Sequence, residues 1–220
     1  MELAFLIPVL TVCFFLLYIL CRQDFVLLRQ NISLSQILDM AIITIIFAFV
    51  AGRLLFLLNN LEATLLHAIR FFYFIKFPGV SPLGFFLGGA FSLWFLMRGK
   101  KGILRISDIF SISFLPLYLL SLLLKSYPGA TSFIFQIAAV FLSLALFAFV
   151  IRSHYKYILR DGSISLILLF VISIDTLLYD YLNPEKYIIL FDLSINQLLS
   201  IILVSSSVIF LVLNQRKLKI

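Results

Sequence analysis

The chain has 220 residues, of which 63% are hydrophobic, 25 are Phe and only 12% are charged. That balance excludes a soluble globular domain and a disordered chain, and two cysteines are too few for a disulfide scaffold. The 17 Lys and Arg against 10 Asp and Glu, a net charge of +7, suit the cytoplasmic loops of a polytopic membrane protein beside anionic lipid and call for no nucleic acid.

A helix crossing a ~30 Å hydrocarbon core takes about 20 mainly apolar residues. Seven stretches qualify, at roughly 3–20, 38–58, 81–97, 106–124, 130–151, 163–182 and 193–213. None alternates as a barrel strand does. The expected fold is all-α: one integral membrane domain over residues 1–220, a polytopic bundle of seven transmembrane helices.

The first stretch has Glu2 as its only early charge and lacks a small-residue cleavage site, so it reads as a retained helix rather than a signal peptide. Cys13 and Cys21 lie on it about 12 Å apart, too far for a disulfide. No metal cluster, redox pair or cofactor motif follows. Gln23 to Ser35 is polar enough for a loop, with Ser35 as the N-cap of the second span. Asp39 and Asp108, at the starts of the second and fourth spans, read as interfacial caps, since helix N-termini favour negative charge.

Ionisable residues inside spans are costly and face the protein interior. Arg53 in the second span and Asp175 and Asp180 in the sixth are therefore expected to be buried, with an ion pair between Arg53 and one of the aspartates. Residues 61–77 place Leu65, Leu66, Ile69 and Phe72 at helical spacing with Glu62, His67 and Arg70 elsewhere, the pattern of a helix lying in the interface. Pro78-Gly79 ends it. In the third span Gly84 and Gly88 form a small-xxx-small pair, widened by Gly89, that lets another helix approach closely. Asn183 to Asp192 reads as a turn with a short surface piece.

Basic residues orient the bundle. With the N-terminus outside and the C-terminus cytoplasmic, the inner segments hold Arg22 and Arg29, then Arg98, Lys100, Lys101 and Arg105, then Arg152, Lys156 and Arg160, and finally Arg216, Lys217 and Lys219. Outside stand Arg70, Lys76, Lys125 and Lys186.

Residues 80–89, V-S-P-L-G-F-F-L-G-G, resemble the S-F-H-G-G-L-L-G signature of bacterial prolipoprotein diacylglyceryl transferases. Ser81, Gly84, Leu87 and Gly88 match it, while Leu83 stands in the place of the family's histidine and Phe85 in that of its second glycine. Ala51-Gly52-Arg53-Leu54 is similar to the family's G-A-R-L, and residues 34–39 resemble the helix start that precedes it. The basic run 98–101 followed by Asp108 falls where the family has a basic inner loop and an aspartate. Residues 193–200 are similar to its closing L-T-x-x-Q-x-L-S. Seven spans with the N-terminus outside is the family's arrangement too.

The resemblance implies a bacterial plasma (inner) membrane location and a reaction that joins the diacylglyceryl carbon of phosphatidylglycerol to the cysteine thiol of a lipoprotein signal peptide. Glycerol phosphate leaves. Such chemistry needs a base to form the thiolate and cationic donors for the phosphate. It implies a lipid headgroup site or pocket among Arg53, Ser81, Gly84, Gly88 and Lys125. Leu83 cannot accept a proton. The family's G-R-x-G-N-F becomes L-S-L-L-L-K-S-Y at 120–127, and its R-F-x-x-E-F-x-R becomes T-L-L-Y-D-Y-L-N at 176–183. The expectation is therefore a divergent relative that binds phospholipid or serves as a scaffold. Two alternatives stand beside it: an active transferase with a displaced catalytic set at Arg53 and His67, and a small transporter using Arg53, Asp175 and Asp180.

Overall fold

The computed structural model describes residues 3–22, 24–30, 32–59, 79–98, 102–124, 132–182 and 193–216. They form α1 (Leu3–Arg22), α2 (Phe25–Arg29), α3 (Leu34–Asn59), α4 (Pro82–Leu96), α5 (Ile103–Leu124), α6 (Ser132–Tyr155), α7 (Ser163–Leu182) and α8 (Ile195–Arg216). Among the described residues there is no β-strand.

Five of these helices, α3, α5, α6, α7 and α8, are long and apolar enough to cross a membrane. The apolar parts of α1 (Ile7–Arg22) and α4 (Pro82–Leu96) are shorter. Helix α4 has 15 residues, which at 1.5 Å each gives about 22 Å, less than the ~30 Å of a full span. Both its limits are local. Ser81 is the N-cap and Pro82 occupies the first turn, while at the other end Met97 caps the helix before the basic run begins.

Side-chain caps fix several other starts. At α3 the cap is Ser33, two residues before the Ser35 expected from sequence. The Gln36 N–H donates to Ser33 Oγ and the Ser33 N–H to Gln36 Oε1, a reciprocal capping box that satisfies two orphan donors. Ser194 and Gln197 repeat the device at α8. Asp24 caps α2 by accepting from the N–H groups of Val26 (2.9 Å) and Leu27 (3.2 Å).

Helix α5 is the central element, with 56% of its span buried against 17% for α8. It packs on α1, α6 and α7 through Ile106, Ile109, Ile112, Leu115 and Leu122, and meets Cys13 and Leu17 of α1 and Leu168 and Ile172 of α7 in one core. Both cysteines are free and buried. Phe91, Phe95, Phe141, Leu142 and Phe210 project outward, each 59% exposed or more. So much large apolar surface is stable only against an apolar surrounding, which fits a multi-pass membrane protein.

Two seams use different chemistry. Helices α3 and α4 approach through glycine: a Cβ on Gly84 would lie 2.9 Å from the Ala51 carbonyl oxygen and 2.9 Å from Gly52 Cα, and one on Gly88 would lie 2.9 Å from the Phe47 carbonyl oxygen. Bare Cα atoms let the two backbones touch. Helices α7 and α8 pack together with Ser173, Thr176 and Asp180 buried on one and Asn196, Ser200 and Ser207 on the other, so hydroxyl and amide groups fill much of that seam.

Candidate functional site

Among the described residues the buried ionisable side chains collect at the two ends of the bundle. At one end two of the segments that carry the transferase resemblance, 51–54 and 80–89, meet in space. The Ser81 N–H donates to the Gly52 carbonyl (3.0 Å), and Ser81 Oγ accepts from the Gly84 N–H (3.4 Å). Arg53, one residue after Gly52, is fully buried at 0% exposure. Its Nη1 donates to the Gly79 carbonyl (2.9 Å), and its guanidinium lies over the Phe56 ring, 5.6 Å from the centroid. Helix α3 thus brings Arg53 to the turn that starts α4, and glycine at 52, 84 and 88 makes the approach close enough.

Leu83, in the place of the family's histidine, is buried at 0% exposure. Its side chain belongs to the protein interior and offers no proton acceptor. His67 and Lys125 lie outside the described residues, as does the amphipathic segment 61–77. Asp180 is buried and its Oδ2 accepts from Ser194 Oγ (3.4 Å). Asp175 is half-buried, and the described hydrogen bonds of Arg53 and Asp180 run to Gly79 and Ser194, with further contacts of Arg53, Asp175 and Asp180 beyond these.

At that opposite end Arg105 is the hub. Its Nε donates to Asp24 Oδ2 (2.7 Å) and its Nη1 to Asp161 Oδ1 (3.3 Å). Its Nη2 stands 3.2 Å from His154 Nε2, and Tyr157 covers it with a ring centroid 4.7 Å away. Asp24, Arg105 and His154 are all buried. Asp24 Oδ1 caps α2 while Oδ2 holds Arg105, so one carboxylate joins α2 to the first turn of α5.

Asp108 sits one turn further along α5 and is 1% exposed. It accepts from the N–H groups of Gly162 (2.7 Å) and Ser165 (2.8 Å). The sequence reading made Asp108 a cap of its own helix. It caps α7 instead, from the side, because a carboxylate one turn into α5 reaches the orphan donors of the adjacent helix start. Gly162 adopts a φ of +88° there, a conformation open to glycine. The end of α8 joins the same cluster, with Asn214 Nδ2 donating to Ser163 Oγ (2.9 Å) and Arg160 Nη1 to the Asn214 carbonyl (3.1 Å).

From sequence Arg105 is only an orienting charge, and His154 lies in the last turn of α6. The signal that could have found the cluster was acid among the inner basic segments: Asp24 and Asp161 stand in connections otherwise dominated by Lys and Arg. Chemically this cluster is a clasp. Asp24, Arg105 and Asp108 already have their partners, and among the described residues no group of three or more His, Cys, Asp or Glu is placed to hold a metal ion. No known protein family, curated protein or solved structure matches the chain.

Proposed function

We propose that this protein descends from the prolipoprotein diacylglyceryl transferases and keeps their membrane scaffold as a phospholipid-binding or interaction protein without transferase chemistry. The observation that carries the reading is the state of the α3–α4 seam. The glycines, Arg53 and Ser81 that build it are engaged in packing and backbone contacts, and the residue in the histidine's place is an interior leucine. Phosphatidylglycerol is the lipid this descent suggests, and lipoprotein signal peptides are the corresponding protein partners.

The proposal includes seven spans, because the shorter α1 and α4 run beside long helices of the same bundle, α1 on α5 and α4 on α3. It places the N-terminus outside a bacterial plasma membrane. The helix ends that carry Arg98, Arg105, Arg152, Arg160 and Arg216 then face the cytoplasm, as short basic segments do.

The transporter reading has one observation in its favour: the clasp supplies buried charged groups in the half of the bundle opposite Arg53. Against it stand Ile112, Leu115, Leu168 and Ile172, each at 0% exposure, which fill the middle of the core between the two ends. The transferase assay separates scaffold from enzyme. Purified protein, phosphatidylglycerol and a signal peptide bearing the acceptor cysteine yield no thioether if the scaffold reading is right.

A further inference from the structure

His154, in the last turn of α6, is only 3% exposed, and its Nε2 stands 3.2 Å from Arg105 Nη2. A guanidinium carries donors only, so Nε2 accepts that bond. The imidazole is therefore neutral, with its proton on Nδ1. Nδ1 is buried and has no hydrogen-bond partner among the described residues. The ring keeps this tautomer because the other one would set two N–H donors face to face.

The charges around the ring come from several elements. Arg105 faces it from α5, and Asp24 from the start of α2, with Oδ2 3.7 Å from Nε2. Cys21, at the end of α1, lies beside Asp24, its carbonyl accepting from the Asp24 N–H. Asp161 reaches Arg105 from the connection between α6 and α7, but its side chain is 41% exposed. Tyr157 covers the guanidinium. Asp108, one turn along α5, is held by the N–H groups of Gly162 and Ser165. On α6 and just past its end, Arg152, Tyr155 and Lys156 are exposed.

Between Asp24 and Arg105 the buried charges balance. A proton on Nε2 would add a second buried cation and point it at the first, 3.2 Å away. The bridge to the exposed Asp161 is screened and offsets little of this. The acceptor within reach, Asp24 Oδ2, already holds Arg105 Nε at 2.7 Å, while Oδ1 caps α2. One carboxylate oxygen cannot hold both cations at full strength, so a protonated His154 competes directly with the closed clasp.

We propose that the clasp is a proton-released latch: neutral His154 accepts from Arg105 and keeps α2, α5 and the end of α6 locked together, and protonation of His154 frees them. The latch responds to pH on the clasp side of the bundle and needs neither lipid nor transferase chemistry. In the open state the imidazole takes up its proton near the ordinary histidine value of about 6.5. The closed latch binds none there, so the closed form gains as pH rises and loses as pH falls. A single proton sets the limit, a fall in the closed-to-open ratio of about tenfold for each pH unit below about 6.5.

Hydrogen exchange of the full-length protein in vesicles reads the latch. The Val26 and Leu27 N–H groups bond to Asp24 Oδ1, so their protection, corrected for the intrinsic exchange rate at each pH, reports release of Asp24. Between about pH 7.5 and pH 5 it is expected to fall about ten- to thirtyfold. The Gln36 N–H, bonded to Ser33 Oγ in a cap with no ionisable member, should keep its protection. His154→Gln, whose Oε1 still accepts from Arg105 but takes up no proton in this range, should hold the Val26 and Leu27 protection flat.

A second measurement leaves the latch itself unaltered. In His67→Gln, His154 is the one imidazole in the chain, and its ring-nitrogen resonances should show the neutral Nδ1–H form at about pH 7.5, turning to imidazolium as the protection is lost. Flat protection in the wild type, an equal loss in His154→Gln, or a ring at neutral pH that is charged or carries its proton on Nε2 overturns the proposal. Thioether formation in the transferase assay would end the scaffold reading and leave the latch standing, and a flat pH profile would do the reverse.

Discussion

Replacing Arg105 with Met tests the clasp most severely. The substitution keeps an unbranched apolar stem and removes the bonds to Asp24 at 2.7 Å and Asp161 at 3.3 Å, together with the Tyr157 contact at 4.7 Å. The two carboxylates weigh unequally. Asp161 has a side chain 41% exposed, so its bridge is screened and contributes under about 1 kcal/mol. Asp24 has a side chain 1% exposed, and removing one member of a buried pair costs about 3 to 5 kcal/mol because the other charge stays uncompensated. The expected loss is therefore about 3 to 5 kcal/mol, nearly all of it through Asp24. Asp24→Asn retains an oxygen for the α2 cap and removes the charge. The double variant Asp24→Asn with Arg105→Met should recover a coupling energy of about 2 kcal/mol. Equilibrium unfolding in detergent, followed by circular dichroism across a denaturant series, reads all three variants. A loss below about 1 kcal/mol for Arg105→Met, or strict additivity in the double variant, would refute the assignment of Asp24 and Arg105 as a tight buried pair.

Three further outcomes follow from the same geometry. Gly84→Ala puts a Cβ 2.9 Å from backbone atoms of α3 and should cost about 1 to 3 kcal/mol in the same unfolding assay, whereas Gly89→Ala, with its nearest neighbour at 3.6 Å, should be neutral or slightly stabilising. Asp108→Ala strips the acceptor from the N–H groups of Gly162 and Ser165; at about 1 to 3 kcal/mol for each orphaned donor it should destabilise by about 2 to 6 kcal/mol and speed hydrogen exchange at both amides. Leu83→His installs the histidine of the transferase signature that residues 80–89 resemble, but at a position of 0% exposure the imidazole should cost about 1 to 3 kcal/mol in unfolding and yield no thioether product.

The helical architecture was legible because the bilayer imposes it: with no water to satisfy backbone groups, apolar runs of span length become helices. The runs expected at residues 163–182 and 106–124 correspond to α7 (Ser163–Leu182) and α5 (Ile103–Leu124). The glycine pair was legible too, since Gly84 and Gly88 share a face at a four-residue spacing and that face meets α3. The clasp was not. Its members come from four separate segments, and nothing local in Arg105 distinguishes a buried hub from an orienting charge; only the fold brings Asp24, His154 and Asp161 to it. Asp108 misled for a related reason, as its position at a helix start suited a self-cap, while its reach to Gly162 depends on how α5 and α7 pack. The start of α3 shifted by two residues because Ser33 and Ser35 are both competent caps, and only Ser33 has Gln36 three residues on to complete the box.

The central claim is that the bundle survives while the chemistry on its Arg53 face has gone. The most direct measurement is thioether formation between radiolabelled phosphatidylglycerol and a lipoprotein signal peptide, catalysed by the purified full-length protein in vesicles. The account predicts no product above a protein-free control. Product that forms with the wild type and disappears in Arg53→Ala or His67→Ala would contradict it and establish a displaced catalytic set.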